Sequence, residues 1–135
     1  MITGSKTKKL SQLNSKSSTK KVGLLPIHTI VTRFMEMLLI IKLFHWNTMS
    51  YAQHKSTDDF YAKLNDHMDE FIEVLMGKTG QRIKMQSCAV NNIPTNKAGF
   101  AACIKSFRTF LVSGIKLELF GDDIGDLTSI RDEIL

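Results

Sequence analysis

The stretch from Leu24 to Trp46 constrains the fold more than any other part of the chain. Ile27, Ile30, Val31, Phe34, Leu38, Ile41 and Trp46 recur at the i, i+3, i+4 spacing of one helix face. Met35, Met37, Leu39 and Ile40 widen that stripe until little of the helix is polar, so neighbours must cover it on several sides. Pro26 falls in its first turn, where a missing N–H is harmless. A second helix is expected after Ala52, ending near Met76 with Gly77 as a left-handed terminator, and its stripe is Phe60, Tyr61, Leu64, Met68, Phe71, Ile72 and Leu75. Residues 77–99 carry Gly, Pro and Asn punctuation and form a long connection, with a short helical turn expected at Arg82 to Met85. A third helix is expected from Ala98 to Phe120, stopped by Gly121. Asp122 to Gly125 is a turn, and a short fourth helix then carries Leu127, Ile130, Ile134 and Leu135. With no strand-like alternation and no repeat, the pattern predicts an all-α, antiparallel four-helix bundle with a short or truncated fourth helix.

Composition narrows the class further. The longest unbroken apolar run is Met37 to Ile41, far short of the roughly 20 residues needed to span a bilayer, so no membrane partner is expected. The N-terminus lacks the apolar segment of a signal peptide, and two cysteines cannot build a disulfide scaffold. A reducing, cytoplasmic setting follows, with Cys88 a loop thiol and Cys103 a packed helix thiol. Eighteen basic and thirteen acidic residues give a formal charge of +5. Lys6, Lys8, Lys9, Lys16, Lys20 and Lys21 all lie in residues 1–22, which hold no acid and are rich in Ser and Thr, so the rest of the chain is nearly neutral. Such a segment cannot bury enough apolar surface to offset the cost of ordering it. The division is therefore a flexible lysine-rich arm over 1–22 and a helical domain over 23–135. Composition alone suits DNA binding by the arm and a solubilising tail equally well.

The chemistry lies on the second helix. His54, Asp58, Asp69 and Glu73 fall at about 0°, 40°, 60° and 100° around its axis, on one stripe. His54 and Asp58 are nonetheless roughly 22 Å from Asp69 and Glu73 along the axis, so one copy cannot bring both pairs to one ion. Two copies packed antiparallel across a dyad between Lys63 and Leu64 set His54 opposite Glu73 and Asp58 opposite Asp69, giving two identical clusters. Imidazole with carboxylates suits iron, manganese or zinc, and His45 at the end of the first helix is the natural fifth ligand. The plain alternative is a solvated acidic face. Glu36 lies about 180° from His45 and is a minor candidate. His28 reads as a helix-start residue, His67 as a packed or interface histidine, and Trp46 as a core or interface anchor. Asp122, Asp123, Asp126, Asp132 and Glu133 suit either a pore lining or a solvated turn and helix start.

The run His45-Trp46-Asn47, followed by His54, Asp58, Phe60, His67, Asp69 and Glu73, resembles the signature of Dps, the miniferritins that protect DNA in starved cells. The resemblance spans about Leu24 to Gly77 and implies a ferritin-like fold. It also implies a di-iron ferroxidase centre between subunits, with His45, His54 and Asp58 from one chain and Asp69 and Glu73 from its two-fold partner. His45, His54 and Glu73 would be terminal ligands, with Asp58 or Asp69 near a bridging position. Zinc and manganese are alternative occupants. The lysine arm would hold DNA close by. The compact form is similar to ferritin-like proteins of phages and large DNA viruses, for which a virion-associated location is the alternative. Two features depart from the family: a shorter interval between His45 and His54, and a curtailed fourth helix that favours a dimer over a closed cage. They suit a second reading, a ferritin-derived structural or virion-associated module whose metal site is vestigial or merely staples a dimer.

Overall fold

The structure, a computed structural model, describes residues 26–135, and the expected lysine-rich arm with Lys6, Lys8, Lys9, Lys16, Lys20 and Lys21 lies outside those residues. Four α-helices, α1 (Ile27–Asn47), α2 (Tyr51–Thr79), α3 (Lys97–Thr109) and α4 (Gly125–Ile134), account for most of the described chain, which contains no strand. Pro26 caps α1 from outside rather than sitting in its first turn.

The boundaries follow local chemistry. Ser50 caps α2 by accepting the Gln53 backbone N–H, and Thr48 Oγ1 donates to Gln53 Oε1 at 2.6 Å, so a three-residue turn reverses the chain between α1 and α2. At its other end α2 runs past Gly77 and stops at Gly80, which adopts the left-handed conformation at φ 66°. Gly77 is therefore a helical residue and not the expected terminator. The residues from Arg82 to Met85 form no helical turn. Asn96 caps α3 by accepting the Gly99 N–H at 2.8 Å.

The third helix is shorter than its apolar pattern predicts. After Thr109 it widens into a π turn over Phe110–Gly114, and the Ile115 N–H reaches back to the Phe110 carbonyl at 3.0 Å. The chain then extends at Ile115 and re-forms a short 3₁₀ turn over Leu117–Phe120. Leu111, Ile115 and Leu117 are all buried, although on a continuous helix Leu117 would lie about 200° from Ile115. Breaking the helix lets both enter the core.

The core is organised around Phe34 of α1. Its ring meets Phe71 of α2 at 5.5 Å and Phe107 of α3 edge-on at 5.8 Å. Phe44 stacks on Phe100 at 4.1 Å toward the other end of α1. Rising numbers in α1 thus meet falling numbers in both α2 and α3, so both run antiparallel to it. Lys78 reaches Asp123 and Asp126 at the start of α4, and His67 reaches Glu133 at its end, so α4 runs antiparallel to α2. The order is up, down, down, up. Residues 80–96 must then climb the length of α1 to start α3 at the far end, as the long second connection predicts.

Two substitutions test the α2 boundary in opposite senses. Gly77→Ala, with no atom near the added methyl, should stabilise the fold by about 0.8–1 kcal/mol. Gly80→Ala should destabilise it by about 1–2 kcal/mol, because alanine resists the left-handed conformation. Urea unfolding followed by circular dichroism measures both, and equal effects at the two positions would contradict the boundary. In the same assay Phe34→Ala should cost about 3–5 kcal/mol.

Candidate metal centre

The tight turn after α1 brings His45, in the last turn of that helix, against His54, in the first turn of α2. Their rings stack with centroids 3.8 Å apart. A helix ends with carbonyls that have no partner within it. The His45 carbonyl is one of these, and His54 Nδ1–H donates to it at 3.1 Å. In return, His45 Nδ1–H donates to the His54 carbonyl at 3.0 Å and faces Thr57 Oγ1 at 3.1 Å. Thr57 donates its own O–H to the Gln53 carbonyl at 2.7 Å. His45 and Thr57 are the buried polar residues among the described residues, and each is bonded.

Carbonyl oxygens only accept, so each Nδ1 must carry the proton. The neutral rings therefore both leave Nε2 with a free lone pair. A backbone carbonyl on Nδ1–H is the arrangement that orients an imidazole for metal binding through its other nitrogen. It fixes ring direction as well as tautomer.

The carboxylates are placed less fully. Because α2 is one continuous helix from Tyr51 to Thr79, the stripe of His54, Asp58, Asp69 and Glu73 is real, and all four are exposed. None of the three acids has a salt-bridge partner among the described residues, whereas Asp59 pairs with Lys55 at 3.4 Å. Asp69 and Glu73 line a groove of about 250 Å³ between α1 and α2, with Met35, Leu38, Asn65 and Met76. One chain therefore joins His45 to His54 and keeps Asp69 and Glu73 apart from them, on the lower half of α2. Met35, Leu39 and Trp46 on α1 are exposed, Trp46 to 67%. Trp46 is thus not a core residue of the chain. Glu36 is held by Arg33 at 2.6 Å and His28 is exposed, so neither joins the pair. Cys88 is an exposed loop thiol and Cys103 a half-buried helix thiol, both free.

A second group of donors escapes the sequence reading. His67, Glu70 and Glu133 place one ligand atom each within 4.8 Å of the others, joining α2 to α4. Glu70 has the i, i+3 spacing from His67 that would flag a shared face, but Glu133 is far away in sequence.

No solved structure matches the chain. Residues 45–135 match DUF5856, described as a family of unknown function, and the match opens at His45 and takes in His54, Asp58, Asp69, Glu73 and the His67 group. With the greater part of its length matched, the chain belongs to the DUF5856 family.

Proposed function

We propose that the protein is a Dps-like, ferritin-type protein that binds and oxidises Fe(II) at a dinuclear site shared between two copies of the chain. The observation that carries this reading is the His45–His54 pair, whose Nδ1–H groups are tied to backbone carbonyls while both Nε2 atoms remain available. Three further features support it. The up, down, down, up order with one long crossover is the connectivity of ferritin-like bundles. Asp58, Asp69 and Glu73 stand exposed on one stripe without salt-bridge partners among the described residues. An apolar strip with Met35, Leu39 and Trp46 lies on the neighbouring helix, as a dimer contact requires.

Fe(II) is the substrate. Paired antiparallel, the two α2 helices would bring Asp69 and Glu73 of the partner to the His45, His54 and Asp58 of this chain. The donor set fits, since neutral imidazole and carboxylate both suit iron, and the carboxylates offset its charge. Two bound Fe(II) ions each give one electron to an external oxidant, so a peroxide takes up two electrons and two protons and leaves as water. The residues hold the ions close together and in fixed orientation. Thr57 and the two carbonyls accept from Nδ1–H and so hold the imidazoles in one orientation, with Nε2 as the nitrogen left for a metal. Zinc or manganese would fit the same donors, and zinc, having no redox chemistry, would only staple the dimer. In that second reading the protein is a structural or virion-associated module.

Anaerobic Fe(II) loading followed by addition of peroxide, monitored by absorbance, tests the proposal. The wild-type chain should oxidise Fe(II) saturably, and Asp58→Ala, Glu73→Ala and His54→Ala should each slow it by on the order of tenfold or more. Light scattering should give a dimer or a larger assembly. A monomer, or unchanged rates in all three variants, would refute the shared site. Zinc retention without turnover would select the structural reading.

The arm makes a separate prediction. Six lysines bound to phosphates would make DNA affinity fall with salt with a log–log slope of up to about −5, and deletion of residues 1–22 should abolish the gel shift. Retained binding after the deletion would leave the arm a solubilising tail.

A further inference from the structure

α2 carries donor atoms on a second side. His67 is half-buried, with its Nδ1 3.3 Å from Glu133 Oε2, and Glu70 brings an oxygen within 4.8 Å of both atoms. His67 lies about 200° around the axis from Asp69, so this group faces α4 and is separate from the Asp58–Asp69–Glu73 stripe. All three donors belong to one chain.

Distance and charge both point to a cation. Nitrogen and oxygen ligands held about 2.1 Å from a tetrahedral ion are about 3.4 Å apart, close to the His67–Glu133 separation. Glu70 is exposed, and a side-chain rotation closes the remaining gap. Glu133 sits in the last turn of α4, where the helix dipole disfavours negative charge, and Glu70 brings a second carboxylate toward it. A divalent ion held among the three groups removes that repulsion and converts them into ligands. α4 also has use for a fastening: it is ten residues long, buries Leu127 and Ile130, and is otherwise tied to α2 by Lys78 at its opposite end.

We propose that His67, Glu70 and Glu133 form a divalent-cation site of the zinc class that fastens α4 onto α2. Its mixed nitrogen and oxygen donors exclude a preference for thiophilic ions, and three protein ligands leave a fourth position for water. The site is complete within one chain and does not depend on the dimeric centre proposed above.

The test uses the full chain and zinc chloride alone, read by thermal unfolding, isothermal titration and amide hydrogen exchange. Zinc should raise Tm saturably and slow exchange in residues 125–134. His67→Ala and Glu133→Gln should each weaken the zinc-dependent protection of residues 125–134 by about tenfold or more in apparent affinity, a readout local to α4 and separate from any zinc held at the His45–His54 centre. Comparing increments removes the effect of losing the His67–Glu133 contact itself. Equal zinc stabilisation of wild type and His67→Ala would overturn the site, as would protection confined to residues around His45 and His54. Either result would leave the iron proposal standing, and failure of the iron proposal would leave this site standing.

Discussion

Everything in the domain is referred to the contact of Phe34 with Phe71 and Phe107. One ring on α1 meets one ring each from α2 and α3, and all three side chains are buried. Aromatic pairs of this kind contribute about 0.5–1.5 kcal/mol beyond the area they bury, and here two pairs share a member. The consequence is geometric as well as energetic. With Phe34 fixed between the other two, α1 has one helix on each flank, and its remaining apolar side, with Met35 and Leu39, has no cover within the described chain. The Phe44–Phe100 stack repeats the arrangement one level up, directly beside His45. The histidine pair therefore rests on a braced support rather than on a loop.

The same bracing explains why the turn between α1 and α2 can be so short. Thr48, Ser50 and Gln53 satisfy the helix ends among themselves, and the His45 carbonyl, left over at the end of α1, is taken by the His54 ring. A longer turn would have let that carbonyl go to solvent. The short interval between His45 and His54 thus orients the rings by backbone groups of the same two residues.

Much of this was legible from residue order, and the parts that were not have definite physical causes. α1 and α2 have a clear 3.6-residue period, so their faces and their pairing could be read directly. The end of α2 is not legible because Gly77 and Gly80 look alike in sequence, while only the second adopts φ 66°. The break in α3 depends on the competing demands of Ile115 and Leu117 for the core, a tertiary effect with no local signal. The candidate ligands His54, Asp58, Asp69 and Glu73 were recognisable from spacing. The reciprocal Nδ1 contacts were not, since they require knowing which carbonyls a helix end leaves free. Glu133 is hidden for another reason: its partner His67 is one helix-pairing away, and the sequence alone reads His67 as a packed or interface residue and Glu133 as a pore-lining or solvated one, with nothing to join them.

The order of the helices also decides where the lysine-rich segment is rooted. Pro26, to which that segment connects, lies at the end of the bundle shared with the last turn of α2, and the His45–His54 pair lies about 30 Å away, at the other end of α1. Within one chain, a polyanion gripped at the root would stand well clear of the histidines. In the antiparallel pairing proposed for the shared centre the relation inverts, because the last turns of one α2 lie against the first turns of the other. Each root then adjoins the partner's histidines. Nucleic acid tethered by one copy would thereby be held alongside the oxidation chemistry of the other, and tether and centre would act together only in the assembled pair.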